Sequence, residues 1–464
     1  ARNTMNLLGA LAKLVLVGVI AWGTFQGIQY EARFDFVQGA QLVFRVDFLA
    51  LLFVALSSVL WLLTTIYAIG YLENSSHRSR FFGFFSLCVT ATMGIALAGN
   101  LLTFFIFYEM LTVVTFPLVV HRGTKGALIA GRTYLLYTLF GGVLLLLAIV
   151  WLNLLTGPVD FVAGGQIAHL IPTESPQLIL IFALMIAGLG VKAALVPFHG
   201  WLPQAMVAPA PVSALLHAVA VVKAGVFGIV RVVYDVFGIQ SAATLGVLGP
   251  LAAIAAITII YGSVRALQQQ DLKRRLAYST VSQLSYITLG VAIVGPLATT
   301  GALAHLVHQG IMKITLFLCA GVIAETLGIN RIRDMAGIGR RLPLTMLAFS
   351  VAALGMIGLP PTAGFISKWY LGLGGMAAGS EWVVILLATS GILNAMYFLP
   401  ILGLAWFGTP DREWEPRGAR EAKWLLLMPA LATAILSLGA GLLPGVPFGP
   451  LWLAHLAVET IYEP

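Results

Sequence analysis

The chain has 464 residues, of which 59% are hydrophobic and 9% charged, and its mean hydropathy is +0.96. Soluble domains carry roughly 25% charged residues, so this composition excludes a soluble domain, a disordered chain and a nucleic-acid binder. The formal charge of +8, from 26 Lys and Arg against 18 Asp and Glu, reads as a signal of membrane orientation rather than of a polyanion partner, because of where the cations fall.

A helix crosses the hydrocarbon core in about 20 apolar residues. In chain order the sequence predicts thirteen spans, over residues 5–23, 46–71, 81–98, 101–120, 128–155, 177–198, 211–235, 243–267, 276–294, 298–327, 342–375, 383–407 and 424–446. The fold class expected is an all-α polytopic membrane protein. The first span is not a signal peptide, since no small-residue cleavage site follows it. The chain starts with Ala1, so an upstream piece is expected. Between the first two spans, FDFVQGAQLVFRVD (34–47) alternates around Gly39 and predicts a short outer β-hairpin. Residues 156–176 form a second outer loop. The polar stretch 409–423, with two prolines, is the longest connection on the opposite side.

Thirteen spans send alternate loops to opposite faces. One face collects Arg2, Arg78, Arg80, Arg122, Lys125, Arg132, Arg265, Lys273, Arg274, Arg275, Arg331, Arg333, Arg340, Arg341, Arg412, Arg417, Arg420 and Lys423. The other holds Arg33, Arg45 and Arg231 beside acids such as Glu31, Asp35 and Asp160. The basic face is expected to be cytoplasmic, in a bacterial or archaeal inner membrane, with the N-terminus of the chain inside and its C-terminus outside. Lys13 is expected to reach the basic face by snorkelling. Asp235 and Glu325 lie near span ends and read as solvated.

Four lysines and one carboxylate remain within spans: Lys192, Lys223, Lys313, Lys368 and Glu109. Each charge at the bilayer centre costs about 2.5–3.5 kcal/mol on the mild insertion scale. Burial readies lysine for proton exchange, and a row of such groups is the physical requirement for a proton path. The bland alternative, a fixed partner for a carbonyl or carboxylate, suits any one of them better than all four lysines together. His305 and His308 share a span with Lys313, eight and five residues before it. They are candidates for a relay, against a plain role as polar glue between helices. His217 precedes Lys223 by six residues and is similarly ambiguous, and His199 sits at a helix break where it has backbone groups to cap.

Two spans carry Pro/Gly interruptions: residues 188–211, with Pro197, Pro203, Pro209 and Pro211, and residues 355–370, with Pro360, Pro361 and Gly364. Freed carbonyls are tolerated in a bilayer only when buried in protein or wetted. Each break has a lysine nearby, Lys192 or Lys368. Paired broken helices in corresponding positions mark inverted-repeat transporters, and the offset of five spans between them places the second copy upside down. The predicted organisation is 1–80, N-terminal spans with the hairpin; 81–235, a first five-helix repeat; 243–407, a second, inverted repeat; and 408–464, a cytoplasmic loop with a C-terminal span. Cys88 and Cys319 form no CxxC pair and the eight histidines show no HExxH spacing, so neither a metal nor a cofactor is expected.

The segments YEMLTVVTFPL (108–118), KAALVPFHGWLPQAMVAPAPVSALLHAVAVVKAG (192–225), DLKRRLAYSTVSQLSYI (271–287) and GLPPTAGFISKW (358–369) resemble the antiporter-like subunits shared by respiratory complex I, Mrp-type cation/proton antiporters and membrane-bound hydrogenases. The resemblance runs from about residue 46 to about residue 407. It implies a core of fourteen helices in inverted five-helix repeats, with the first span here resembling the family's second helix and the family's first helix expected to be absent. It also implies roles: Glu109 and Lys192 as a switching ion pair, Lys223 as a bridging lysine, Lys313 as the central lysine and Lys368 as the terminal ionisable group. Lys368, the His308–Lys313 spacing and the lack of a long C-terminal lateral helix look most like the D-type component of the Mrp antiporters and its hydrogenase relatives. His305 departs from the four-residue His/His/Lys spacing of the largest complex I subunit.

The function this implies is proton translocation within a multisubunit membrane complex, most like Mrp-type Na+/H+ antiport. Protons enter near Lys192 and Lys223, pass Lys313 and leave near Lys368. Other membrane subunits, the bilayer, protons and Na+ are the expected partners. The alternative is the pumping arm of a complex I-like or hydrogenase redox complex. The chain has no CxxC, iron–sulfur or nucleotide motif, so any redox chemistry belongs to partners. A non-transporting scaffold and a stand-alone transporter are further readings.

Overall fold

The computed structural model describes residues 2–37, 39–73, 75, 77–410 and 421–463. Arg412, Arg417 and Arg420, and most of the 409–423 connection, lie outside the described residues. The fold is almost wholly helical. In chain order its main helices are α1 (Arg2–Phe25), α2 (Phe48–Tyr71), α3 (Arg78–Ala96), α4 (Leu101–Val119), α5 (Lys125–Thr156) and α6 (Ile171–Lys192). Next come α7 (Ala210–Ala218), α8 (Val221–Arg231), α9 (Leu248–Leu267), α10 (Leu272–Ala292) and α11 (Pro296–Leu327). The last five are α12 (Pro343–Ile357), α13 (Ala363–Ala377), α14 (Trp382–Phe407), α15 (Trp424–Leu442) and α16 (Pro450–Tyr462).

Polar residues start several of these helices by taking a free backbone N–H. Asp47 accepts from Ala50 N at 2.7 Å, Asn100 from Thr103 N at 2.8 Å and Asp271 from Arg274 N at 2.9 Å. Small residues let helices approach where no water drives them together. A Cβ on Gly141 of α5 would stand 2.9 Å from the Gly188 carbonyl of α6, so only glycine permits that crossing. At the centre runs α11, buried without interruption from Ala298 to Ile323 and packed against α2, α7, α10, α12, α13, α15 and α16.

Among the described residues, eleven helical segments are long and apolar enough to cross a membrane. The predicted spans 276–294 and 342–375 are not among them. The first corresponds to α10, whose buried positions include Ser279, Thr280, Ser282, Gln283, Ser285 and Thr288. The second is divided into α12 and α13 by the turn around Pro360 and Pro361. The predicted span 211–235 is also interrupted, at Val219 and Ala220, and its last turns, Val232–Phe237, form a π-helix. A helix that composition did not single out, α16, follows the last predicted span and packs on α11 and α2.

The outer hairpin is present, with β1 (Glu31–Val37) antiparallel to β2 (Ala40–Arg45). β2 is anchored at Val43, which is fully buried and whose carbonyl accepts from Gly99 N–H at 2.8 Å, and the hairpin is further tied by charge. Arg33 donates to Glu31 at 2.6 Å and to Asp160 at 2.8 Å, and Arg45 donates to Glu31 at 2.6 Å. Three charged residues depart from their expected surroundings. Asp235 is not solvated: it is 5% exposed and accepts from Arg231 at 2.7 Å. Arg231 also donates twice to Asp47, at 2.6 and 2.9 Å, so this cation is a buried partner of two acids rather than a loop charge. Lys13 does not snorkel either. Its ammonium lies 4.2 Å from the Trp61 ring centroid, held in the α1–α2 seam by the ring's negative face. Glu325 is exposed, as its position suggested.

Candidate functional site

The first cluster forms where α6 stops. Pro197 has no backbone donor, and the chain leaves the helix after Lys192 through short turns at Phe198–Gly200, Trp201–Gln204 and Ala205–Val207. Lys192 is fully buried. Its Nζ donates to the Tyr108 carbonyl, lies 3.3 Å from the Tyr108 ring centroid and stands 3.8 Å from Glu109 Oε1. That last separation is an ion pair rather than a hydrogen bond, and Oε1 has no hydrogen-bond partner. Attraction across it is about 4 kcal/mol at an effective dielectric near 20. Room for the carboxylate comes from α5, where a Cβ on Gly142 would stand 2.6 Å from Oε1.

Lys223 lies one turn past the Val219–Ala220 interruption and donates to the Leu306 carbonyl of α11 at 2.6 Å. His217, just before that interruption, stacks on Phe317 at 4.5 Å, and neither ring nitrogen has a partner. His199 packs edge-on against Tyr261 at 4.8 Å.

On α11 the three candidates diverge. Lys313 donates to α10, at the Leu276 carbonyl (3.1 Å) and the Ser279 hydroxyl. His308 is buried with both ring nitrogens unpartnered. His305 places Nδ1 2.8 Å from Ser367 Oγ of α13 and Nε2 3.1 Å from Gln283 Oε1 of α10. Lys368 closes the series at the second break, donating to the carbonyls of Met356 (2.7 Å) and Ile357 (2.9 Å) that end α12. The Met356 carbonyl also accepts from Gln283 Nε2 at 3.3 Å and Asn394 Nδ2 at 3.2 Å.

The structure therefore joins Glu109 to Lys192, and His305 to Lys368 through Gln283. It leaves Lys313 on a separate branch towards α10. Among the described residues Lys223, Lys313 and Lys368 have no carboxylate partner; each donates to backbone carbonyls near a helix break or on a neighbouring helix. Sequence reasoning missed Gln283, Ser279, Ser367 and Tyr286, whose ring centroid lies 5.1 Å from Lys368 Nζ. The available signal was the run of hydroxyl and amide residues inside a segment otherwise long enough to span. Among the described residues no group of three or more His, Cys, Asp and Glu is placed to hold a metal ion. On the basic face, two cavities of about 740 and 880 Å³ share Tyr71, Arg122 and Glu325, and Lys273 lines the larger.

The model of the family described as NADH:quinone oxidoreductase/Mrp antiporter, TM, matches residues 98–393, a stretch that holds Glu109, Lys192, Lys223, His305, His308, Lys313 and Lys368. The chain belongs to that family. It is 37% identical over 415 residues to the N component of the NADH-quinone oxidoreductase of Desulforudis audaxviator, covering 87% of this chain and 81% of the relative. It is 31% identical to the A/B component of a probable K(+)/H(+) antiporter of Rhizobium meliloti, over 97% of this chain and 45% of the relative. The A1 component of an Na(+)/H(+) antiporter of Staphylococcus haemolyticus is also 31% identical, over 90% and 53%. The chain thus spans about half the length of these antiporter relatives. Its fold matches a chain in the Mrp complex of Dietzia at TM-score 0.84, with 24% identity over 100% of this chain and 92% of that one. It matches a chain of an archaeal membrane-bound sulfane sulfur reductase at 0.86, with 24% identity over 99% and 92%. The protein is an integral membrane member of the family.

Proposed function

We propose that this chain is a proton-translocating subunit of a multisubunit membrane complex, with Mrp-type exchange of Na+ for H+ as its activity. The observation that carries the reading is the Lys192–Glu109 pair: a fully buried ammonium at a helix break, 3.8 Å from a carboxylate oxygen with no hydrogen bond of its own. Such a pair is held by charge and can be opened by charge. When a neighbouring polypeptide draws Glu109 away, Lys192 loses its counterion and releases its proton. Lys223, His305, His308, Lys313 and Lys368 are the further groups proposed to take part in moving charge across the bundle, by relaying a proton or by holding one. The broken helices at 188–211 and 355–370 are read as corresponding elements of the two inverted repeats 81–235 and 243–407. The complex is placed in a bacterial or archaeal inner membrane with its basic loops in the cytoplasm.

The test is exchange in membrane vesicles bearing the assembled complex. Lys192→Ala and, separately, Glu109→Ala are expected to abolish proton exchange while the complex inserts and assembles. Wild-type exchange in both variants ends the proposal. The second reading, a pumping arm driven by redox chemistry, is favoured by the 37% identity to a component of a quinone oxidoreductase. Purification of the native complex separates the two: iron–sulfur proteins among its components favour the redox arm, small membrane proteins the antiporter.

A further inference from the structure

The surroundings of His305 fix which of its atoms takes part in proton movement. The Met356 carbonyl accepts and has no proton to give. It therefore selects the NH2 of Gln283, at 3.3 Å, and turns the amide oxygen of Gln283 towards His305. That oxygen lies 3.1 Å from His305 Nε2. An amide oxygen accepts only, so Nε2 carries its proton whether the ring is neutral or charged. Protonation changes Nδ1 alone.

Nδ1 faces Ser367 Oγ at 2.8 Å, and the same hydroxyl lies 3.3 Å from the Gly364 carbonyl in the first turn of α13. A hydroxyl has one proton and serves one of these acceptors at a time. With His305 neutral, Ser367 donates to Nδ1. With His305 charged, Nδ1–H donates to Ser367, whose own proton turns to Gly364. The charged or titratable groups facing the ring are Lys368 of α13 and Lys223 of α8, Tyr286 of α10 at 5.4 Å, and His308 on its own helix.

We propose that Gln283 and Ser367 make His305 a one-port proton store: it takes up and returns its proton at Nδ1, while the Gln283 amide bars passage through the ring towards Lys368. The inference rests on the translocation reading above and deepens it. On charging, Ser367 passes its proton to Nδ1 as its oxygen accepts one from a hydronium, leaving water. The ring gains one N–H bond and one positive charge. Lys368, which shares the Met356 carbonyl with Gln283, feels that charge without receiving that proton. His305 thus acts on Lys368 by repulsion, and Gln283 is a positioning residue.

Magic-angle-spinning 15N NMR of the complete complex, reconstituted in lipid with 15N-histidine in this chain, tests the assignment. The His305 signals are those lost in His305→Asn. The expected spectrum shows a protonated Nε2 throughout a pH titration, and an Nδ1 that is bare at high pH and protonated at low pH. A bare Nε2 at any pH overturns the proposal, and the wild-type spectrum decides this without any variant of Gln283. Gln283→Leu is expected to give a mixture of tautomers with loss of transport. Gln283→Glu, which still accepts from Nε2–H, is expected to restore the single tautomer. An unmixed spectrum in Gln283→Leu overturns the role of Gln283. A complex that shows the expected tautomer yet moves no protons refutes translocation and leaves this assignment standing; transport with the opposite tautomer refutes the assignment alone.

Discussion

Gly142 decides how far Glu109 can move. The carboxylate has an ammonium on one side and the bare Cα of a glycine on the other, with no hydrogen bond to fix Oε1. A methyl group at position 142 would sit 2.6 Å from Oε1, tighter than van der Waals contact, and α5 backbone leaves it nowhere to go. Gly142→Ala is therefore expected to disturb the pair by about 1 kcal/mol, a factor of about 5 in any equilibrium the pair sets. Helix formation itself gains slightly from alanine, so insertion is expected to persist. The check is the exchange rate of assembled complexes in vesicles, normalised to the amount of this chain; an unchanged rate means that the carboxylate does not use this space.

At the scale of elements, β1 is held to β2 by strand pairing and by charge rather than by its own burial, since every residue of β1 is exposed while Val43 of β2 is fully buried. Arg33 and Arg45 donate to Glu31 and hold its carboxyl below the ordinary value of 4.5. A depressed carboxylate contributes stability above its unfolded value and loses it as pH falls through the folded one. The hairpin is expected to keep its protection from hydrogen exchange at neutral pH and to lose it on acidification into and below the carboxylate range. High salt is expected to weaken it in the same direction by screening. Exchange in β1 and β2 that is identical at neutral and acid pH, after correction for the intrinsic rate, contradicts this. The hairpin was legible in the sequence because strand alternation and a turn glycine are local signals. So were the two breaks with prolines, because a missing backbone donor announces itself. The Val219–Ala220 interruption was not: the residues HAVAVVK contain neither proline nor glycine, so no local signal marks the bend. The polar α10 was legible as a motif but not as a lining, because a run of Ser, Thr and Gln does not say which partner each will find.

Across the whole molecule, contacts between distant parts of the chain were the least legible. Nothing near Arg231 in sequence identifies Asp47, 184 residues away, and both Arg231 and Asp235 were misread as surface charges for that reason. The same contact joins the start of α2 to the end of α8 and so fastens the hairpin side of the bundle to the helix that carries Lys223. Arg231→Leu leaves Asp235 buried without its cation, a loss of about 3–5 kcal/mol. It is expected to lower the thermal stability of the detergent-solubilised complex. Replacing Arg231 and Asp235 together by leucine is expected to recover part of that loss, since an apolar pair leaves no stranded charge at position 235. Equal stability of wild type and the single variant argues that water reaches this site. The lysines, by contrast, could be picked out from sequence alone because charge in an apolar run is conspicuous. Their division into a pair at Glu109, a line through Gln283 and a side branch at Ser279 needed three dimensions.

Glu109 has one more property of note. Its side chain is 22% exposed, on a face of α4 where Val113, one turn further on, is 62% exposed. In an isolated chain that face meets lipid tails, and a carboxylate there costs about 2.5–3.5 kcal/mol. On the function proposed above, a neighbouring subunit seated on α4 removes the penalty. On that reading, an unassembled copy leaves this acid facing lipid, and assembly covers it.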